Sequence, residues 1–162
     1  QGYFPSINCE SSQGINMIAS DAISETVLGF AVTTDADLKW SKLSDLAGKN
    51  IGMVRGQYIP DDLQVFIQNK IIRQHLVATD IQNLLKLQYK RIDLALIDES
   101  VFYYLLVKNV DLAGKVKFHP KVLAEQPLYA CFPDTAEGNK TRQILNNALK
   151  DIDLDSIPYE LF

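Results

Sequence analysis

Apolar and polar positions change over in short blocks along the chain, and each block suits one kind of element. Asn50 to Val54 (NIGMV) is a brief apolar run with glycines on either side of it, and in the following stretch, 60–70, Leu63, Phe66 and Ile67 recur on one helical face. A strand running into a helix is expected there. Thr79 and Asp80 occupy N-cap positions ahead of IQNLLKLQYKR, whose Ile81, Leu84 and Leu85 share a face. Residues 92–97 (IDLALI) are apolar at nearly every position after Asp93, as in a strand covered on both sides. Asp98 closes that strand and can cap a helix over 99–108, on which Tyr103 and Tyr104 are expected to pack. Further strands are expected at 3–7, 116–119 and 128–132, and a helix at 139–152 with Ile144, Leu145, Ala148 and Leu149 inward.

Strand and helix repeated in this order predict an α/β architecture with parallel strands. The pentapeptide Asp-Leu-Ala-Gly-Lys occurs at 45–49 and again at 111–115, each time before a β-rich run. It reads as reused turn chemistry, Gly48 and Gly114 ending a helical turn, because the flanks do not match as a duplication would. In open α/β sheets ligands bind beyond the carboxyl ends of the strands. That rule selects two loops, 55–58 and 98–100.

Composition narrows the function classes. The 162 residues carry a net charge of -4 and are 47% hydrophobic, enough to bury a core in one domain or two small lobes without disulfides. The acidity is spread out and no basic cluster stands ready for phosphates, so nucleic acid is not an expected partner. No apolar run approaches the roughly 18 residues of a spanning helix. The start, QGYFPSINCE, lacks an initiator Met and a signal pattern, which reads as a mature or truncated product. Cys9 and Cys131 lie too far apart for a C-x-x-C motif and leave one possible disulfide. Two free thiols, acting as small buried hydrophobes, are the expectation, since a bond needs Cα atoms within about 7 Å.

The loop Gly52-Met-Val-Arg-Gly56 precedes a helix and could receive an anion such as a carboxylate, but it has neither the spacing nor the lysine of a phosphate loop. Arg55 is its one cation, readable as solvated or as a ligand group, and Gly56 reads first as turn geometry. Asp98 can accept from an ammonium group, cap its helix, or do both. Asp93 is read as structural, pairing with Arg91 or a backbone amide. His75 and His119 show no metal spacing and are expected at the surface or in packing. Tyr58 and Trp40 are candidates for lining a cleft. No catalytic motif, metal site or cofactor site is read from the chain.

The run Leu43 to Gly56, L-S-D-L-A-G-K-N-I-G-M-V-R-G, together with Arg91-Ile-Asp-Leu-Ala-Leu-Ile-Asp98, resembles the polar-amino-acid type of periplasmic solute-binding protein that serves bacterial ABC importers. The resemblance covers nearly the whole chain and adds a crossover strand at 28–33 and a return strand after Pro127. It implies a type II periplasmic-binding fold, two lobes with mainly parallel sheets flanked by helices. Partial lobe 1 would comprise 1–34 and 127–162, and lobe 2 would comprise 35–126. The family's first βαβα portion has no counterpart here, so lobe 1 is expected to be incomplete, with strand exchange between two copies as a consequence.

By the same resemblance, Asp98 matches the aspartate that receives a ligand ammonium, and Gln57 with Tyr58 match the loop that holds a ligand carboxylate, flanked by Arg55 and Gly56. The family's carboxylate-clasping arginine is replaced by Gln13, and its S-x-P-Y stretch by Ser20-Asp-Ala-Ile23. The implied function is periplasmic binding of a small polar solute, an amino acid or related amine, in an interlobe cleft, with the membrane subunits of an ABC transporter as partner. A ligand-sensing receptor domain is the alternative. An enzyme ranks third, because only Asp98, Glu99 and Glu10 could serve as general acid or base.

Overall fold

The computed structural model describes residues 2–11 and 14–152. These divide into two compact units. One holds the described residues up to Thr26 and from Glu125 onward, and the other is Val27–Ala124.

The second unit is built on a mixed sheet of β3 (Ser24–Thr33), β4 (Asn50–Val54), β5 (Arg73–Val77), β6 (Leu94–Asp98) and β7 (Val116–Phe118). β4 pairs in parallel with β5 and β6, whereas β3 pairs antiparallel with β6 and β7. Parallel pairing is thus confined to the strands joined through α1 (Asp61–Gln68) and α2 (Asp80–Gln88), the helical crossovers that parallel strands require. Alternation along β6 explains its unbroken apolar sequence. Leu94 and Leu96 pack on one face with Phe30, Ile51, Met53 and Leu63, while Ala95 and Ile97 pack on the other with Leu84, Leu87 and Phe102.

Turn chemistry is repeated as the duplicated pentapeptide implies. A 3₁₀ turn at Leu43–Leu46 and another at Val110–Leu112 each run into a glycine of positive φ, Gly48 (74°) and Gly114 (75°). The amides of Lys49 and Lys115 then bond back to Leu46 O (3.1 Å) and Leu112 O (3.0 Å). Asp93 holds a backbone amide as expected: its Oδ2 accepts from Asn50 N at 2.7 Å.

Some expectations are corrected. β5, which the sequence pattern does not reveal, is a polar strand (RQHLV) that pairs with β4. Helix α3 occupies Glu99–Lys108 as read, but Phe102 points into the core, while Tyr103 and Tyr104 are exposed, because the sheet accepts only one stripe of the helix. In α2 Leu87 is buried, whereas Leu85 is exposed. Trp40, a candidate for lining a cleft, packs against Phe30 and His119 in the core and lines a shallow hollow there.

In the first unit β8 (Ala124–Pro133) is central, with β1 (Tyr3–Ser6) and β2 (Met17–Ala19) both antiparallel to it. Helix α4 (Ala136–Leu149) begins at the cap of Thr135, whose hydroxyl accepts from Gly138 N at 3.1 Å. Leu145 and Leu149 are half-buried, but Ile144 and Ala148, expected inward, are exposed. The thiol expectation is also corrected. Cys131 lies opposite both Tyr3 and Ala19, and the turn after β1 brings Cys9 to a Cα separation of 5.4 Å, where the two form a disulfide.

Candidate functional site

In the second unit the carboxyl ends of β4, β5 and β6 bring three loops to one edge of the sheet. β4 ends at Val54, and Arg55 N bonds to Val77 O at 3.0 Å, tying that loop to the end of β5. Gly56 takes φ 78°, a conformation that L side chains avoid, and so turns the chain sharply. Gln57 folds back on the strand it follows. Its Oε1 accepts from Val54 N at 2.6 Å, so the side-chain oxygen is committed to shaping the loop. Arg55 is exposed, and Tyr58 is half-buried.

Asp98 is both a strand end and a helix cap. Its Oδ1 accepts from Ser100 N (2.8 Å), Val101 N (3.1 Å) and the Ser100 hydroxyl. These bonds satisfy orphan donors of the first turn of α3 and fix the carboxylate in place. A carboxylate has about four acceptor positions, so capping and ligand reception are compatible in one group.

The third loop was not selected by sequence reasoning. Residues 78–80 follow β5, and they place Thr79 and Asp80 at the start of α2. Ala78 N bonds to Gln82 Oε1 at 3.0 Å, and the Thr79 hydroxyl makes no capping bond. The Asp80 carboxyl is pushed above the usual aspartate range, first by burial and further by the charge of Asp98. Two carboxyl groups on neighbouring helix N-termini therefore sense each other across one edge. The strand-end rule would have selected Thr79 and Asp80 had β5 been legible.

Among the sequence-selected residues, Arg55, Gly56, Gln57, Tyr58 and Asp98 fall on the strand-end loops of this unit. Gln13 lies outside the described residues. Glu99 is half-buried on α3, and Glu10 is exposed in the other unit. No group of three or more His, Cys, Asp or Glu arranged to hold a metal occurs among the described residues. Both cysteines are in the disulfide, so neither is a thiol nucleophile. No helix among the described residues is long and apolar enough to cross a membrane.

No protein-family model and no curated protein sequence matches the chain. Solved structures do. Holo ArgBP from T. maritima is similar with a TM-score of 0.63 at 19% identity, over 90% of this chain and 59% of that one. The GluR0 ligand-binding core from Nostoc punctiforme in complex with L-glutamate is similar at TM-score 0.63 and 20% identity, over 86% and 62%. A substrate-binding domain assigned to an amino acid ABC transporter of Streptococcus pneumoniae gives 0.60 at 16%, over 86% and 60%. These likenesses establish the type II periplasmic-binding fold. The chain spans little more than half the length of the structures that it matches, between 55% and 62%.

Proposed function

We propose that this chain is the larger part of a solute-binding protein serving an ABC-type importer, and that its second unit receives the cationic nitrogen of a small polar solute, an amino acid or related amine. The observation that carries this reading is the pair Asp80 and Asp98. A partly desolvated carboxyl on the same sheet edge as a fixed carboxylate is an unfavourable arrangement that an ammonium or guanidinium group would relieve. Arg55, Gly56, Gln57 and Tyr58 on the adjoining loop supply a cation, backbone amides and a hydroxyl for a carboxylate end. The resemblance puts Gln13 where the family has an arginine, and that replacement would weaken the carboxylate end and tilt preference toward amines.

Support comes from two structures of this fold, one arginine-bound and one in complex with L-glutamate. The periplasm is supported by the Cys9–Cys131 bond, since structural disulfides persist in oxidising compartments. Uptake would follow the two-lobed logic of hinge closure, the ligand joining groups from both lobes of the whole protein.

Calorimetry of the complete protein against amino acids, polyamines and sugars tests the proposal. Asp98→Asn should weaken the ligand found by about 1.5–3 kcal/mol, the loss of a charge-assisted bond. Gln13→Arg should shift preference toward amino acids. Unchanged affinity in Asp98→Asn and in Asp80→Asn would remove this edge as the site.

A further inference from the structure

Between β3 and the 3₁₀ turn at Leu43–Leu46, residues 34–41 form a strap that belongs to neither a helix nor a strand. It leaves β3 at Thr33, the end of the sheet opposite Asp98, as the register of β3 and β6 shows. Its sequence, T-D-A-D-L-K-W-S, alternates so that Ala36, Leu38 and Trp40 pack on the core while the residues between them stay outside. A strap without ladder partners must satisfy its carbonyls some other way. Three basic side chains at alternate positions of the 117–121 segment do so. Lys117 Nζ donates to Thr34 O (3.0 Å) and Ala36 O (3.3 Å), His119 Nε2 to Leu38 O (3.1 Å), and Lys121 Nζ to Ser41 O (2.9 Å).

His119 is the member of this row that can change charge near neutral pH. It is buried, and its Nδ1 accepts from Lys121 N at 3.1 Å while Nε2 donates to Leu38 O. That pair of bonds admits only the neutral imidazole with its proton on Nε2. A proton added at Nδ1 would face the Lys121 N–H, donor against donor, and would set a third cation between Lys117 and Lys121.

The groups around the ring are mainly apolar or cationic. β3 contributes apolar Phe30, which packs on Trp40. Lys121 Nζ lies 4.9 Å over the Trp40 ring, and Lys39, which pairs with Asp37 at 3.7 Å, lines the same shallow hollow of about 450 Å³ as His119. Asp45 lines it too and is an anion, its carboxylate fixed by Ser41 N, Ser41 Oγ and Lys42 N.

We propose that His119 is a pH-operated latch: with its imidazole neutral the 34–41 strap is closed on the sheet, and protonation releases it and uncovers the core face beneath Trp40. Asp45 does not titrate in the same interval, because the bonds from Ser41 and Lys42 hold its carboxyl below the usual range. The latch is separate from the ligand edge, so it stands or falls independently of the proposed function.

The chain's single tryptophan is the reporter. On acidification from about pH 8 to about pH 5, the interval in which histidines titrate, Trp40 emission should shift to the red and become open to quenchers. His119→Gln should lose that transition, because a carboxamide can donate to Leu38 O and accept from Lys121 N–H without titrating. His75→Gln should keep it and leaves His119 as the one imidazole. In that variant the His119 ring and the Trp40 indole N–H resonances should titrate with a common midpoint. A transition that survives His119→Gln, or different midpoints for the two resonances in His75→Gln, overturns the latch. Loss of the transition in Asp45→Asn with its retention in His119→Gln would assign the switch to the carboxylate instead.

Discussion

The side-chain amide of Asn83 lies against the bare Cα of Gly52, so that a Cβ on Gly52 would collide with Asn83 Oδ1 and with Ile92 Cδ1. Asn83 is buried, and neither its oxygen nor its nitrogen finds a hydrogen-bond partner among the described residues. α2 and β4 therefore approach closely at a point where one residue has no side chain and the other is polar. Gly52→Ala should destabilise the chain by about 1–3 kcal/mol through overpacking. Combining it with Asn83→Ala should recover part of the loss, which a double-mutant cycle of denaturant unfolding would register as non-additivity. Simple additivity would show that the contact is not what sets the helix–sheet distance.

Thiol titration of the unfolded, unreduced protein should find no free cysteine, and two after reduction, since Cys9 and Cys131 are joined. Replacing both by serine should lower stability by about 2–5 kcal/mol, as is usual when a native bridge is removed. Proteolysis should then begin in the segment between β1 and β2 before it reaches the α/β unit.

Two acids make opposite contributions with pH. Asp35 is held at about 2 by its bond to Lys90, at 2.6 Å, so the folded state binds its proton less readily than the unfolded chain. The stability that it adds is present above the unfolded aspartate range and is lost as pH falls toward about 2. Asp80 is raised, so its contribution is present at low pH and is lost as pH rises through its folded value. Asp80→Asn should therefore raise Tm at neutral pH, with the advantage vanishing below about pH 4. Thermal melts across pH check both signs.

Lys70 and Lys90 follow α1 and α2 with φ of 57° and 54°, in the left-handed region. Each end shows the same pair of bonds, Ile71 N to Phe66 O (3.0 Å) with Lys70 N to Ile67 O (2.9 Å), and Arg91 N to Lys86 O (2.9 Å) with Lys90 N to Leu87 O (2.8 Å). This is the Schellman arrangement that glycine suits best. Lys70→Gly should stabilise by about 0.5–1 kcal/mol, whereas Lys90→Gly should gain less because the Asp35 pair is lost with it. Equal gains in chemical denaturation would mean that the ion pair contributes nothing.

In the first unit, β1 and β2 each have β8 as their one strand partner among the described residues, and Phe4 and Ile144 are exposed. Open edges recruit strands. The 162-residue chain alone should associate in a concentration-dependent way, through exchanged or added strands, and light scattering should report it. A monomer at every concentration would exclude strand exchange.

Local chemistry was legible in the sequence because its causes lie within a few residues. The start of the 99–108 helix follows from the Asp98 cap, and the two glycine turns follow from a pentapeptide that sets its own hydrogen bonds. The buried strand at the start of that helix was legible too, since apolar residues on both faces leave a continuous run. What depends on a distant partner was not. The polar β5 is a strand because β4 offers it a ladder, and with β5 unseen the Thr79–Asp80 loop could not be placed on the same sheet edge as Asp98. Cys9 meets Cys131 across 122 positions only because β8 gathers β1 and β2 about it. Trp40 read as a cleft aromatic, but a row of basic side chains about 80 residues away ties its strap to the sheet and buries it. Hydrogen bonds between neighbours are written in local order, whereas closure of long loops is decided by which surfaces the whole chain can bury together.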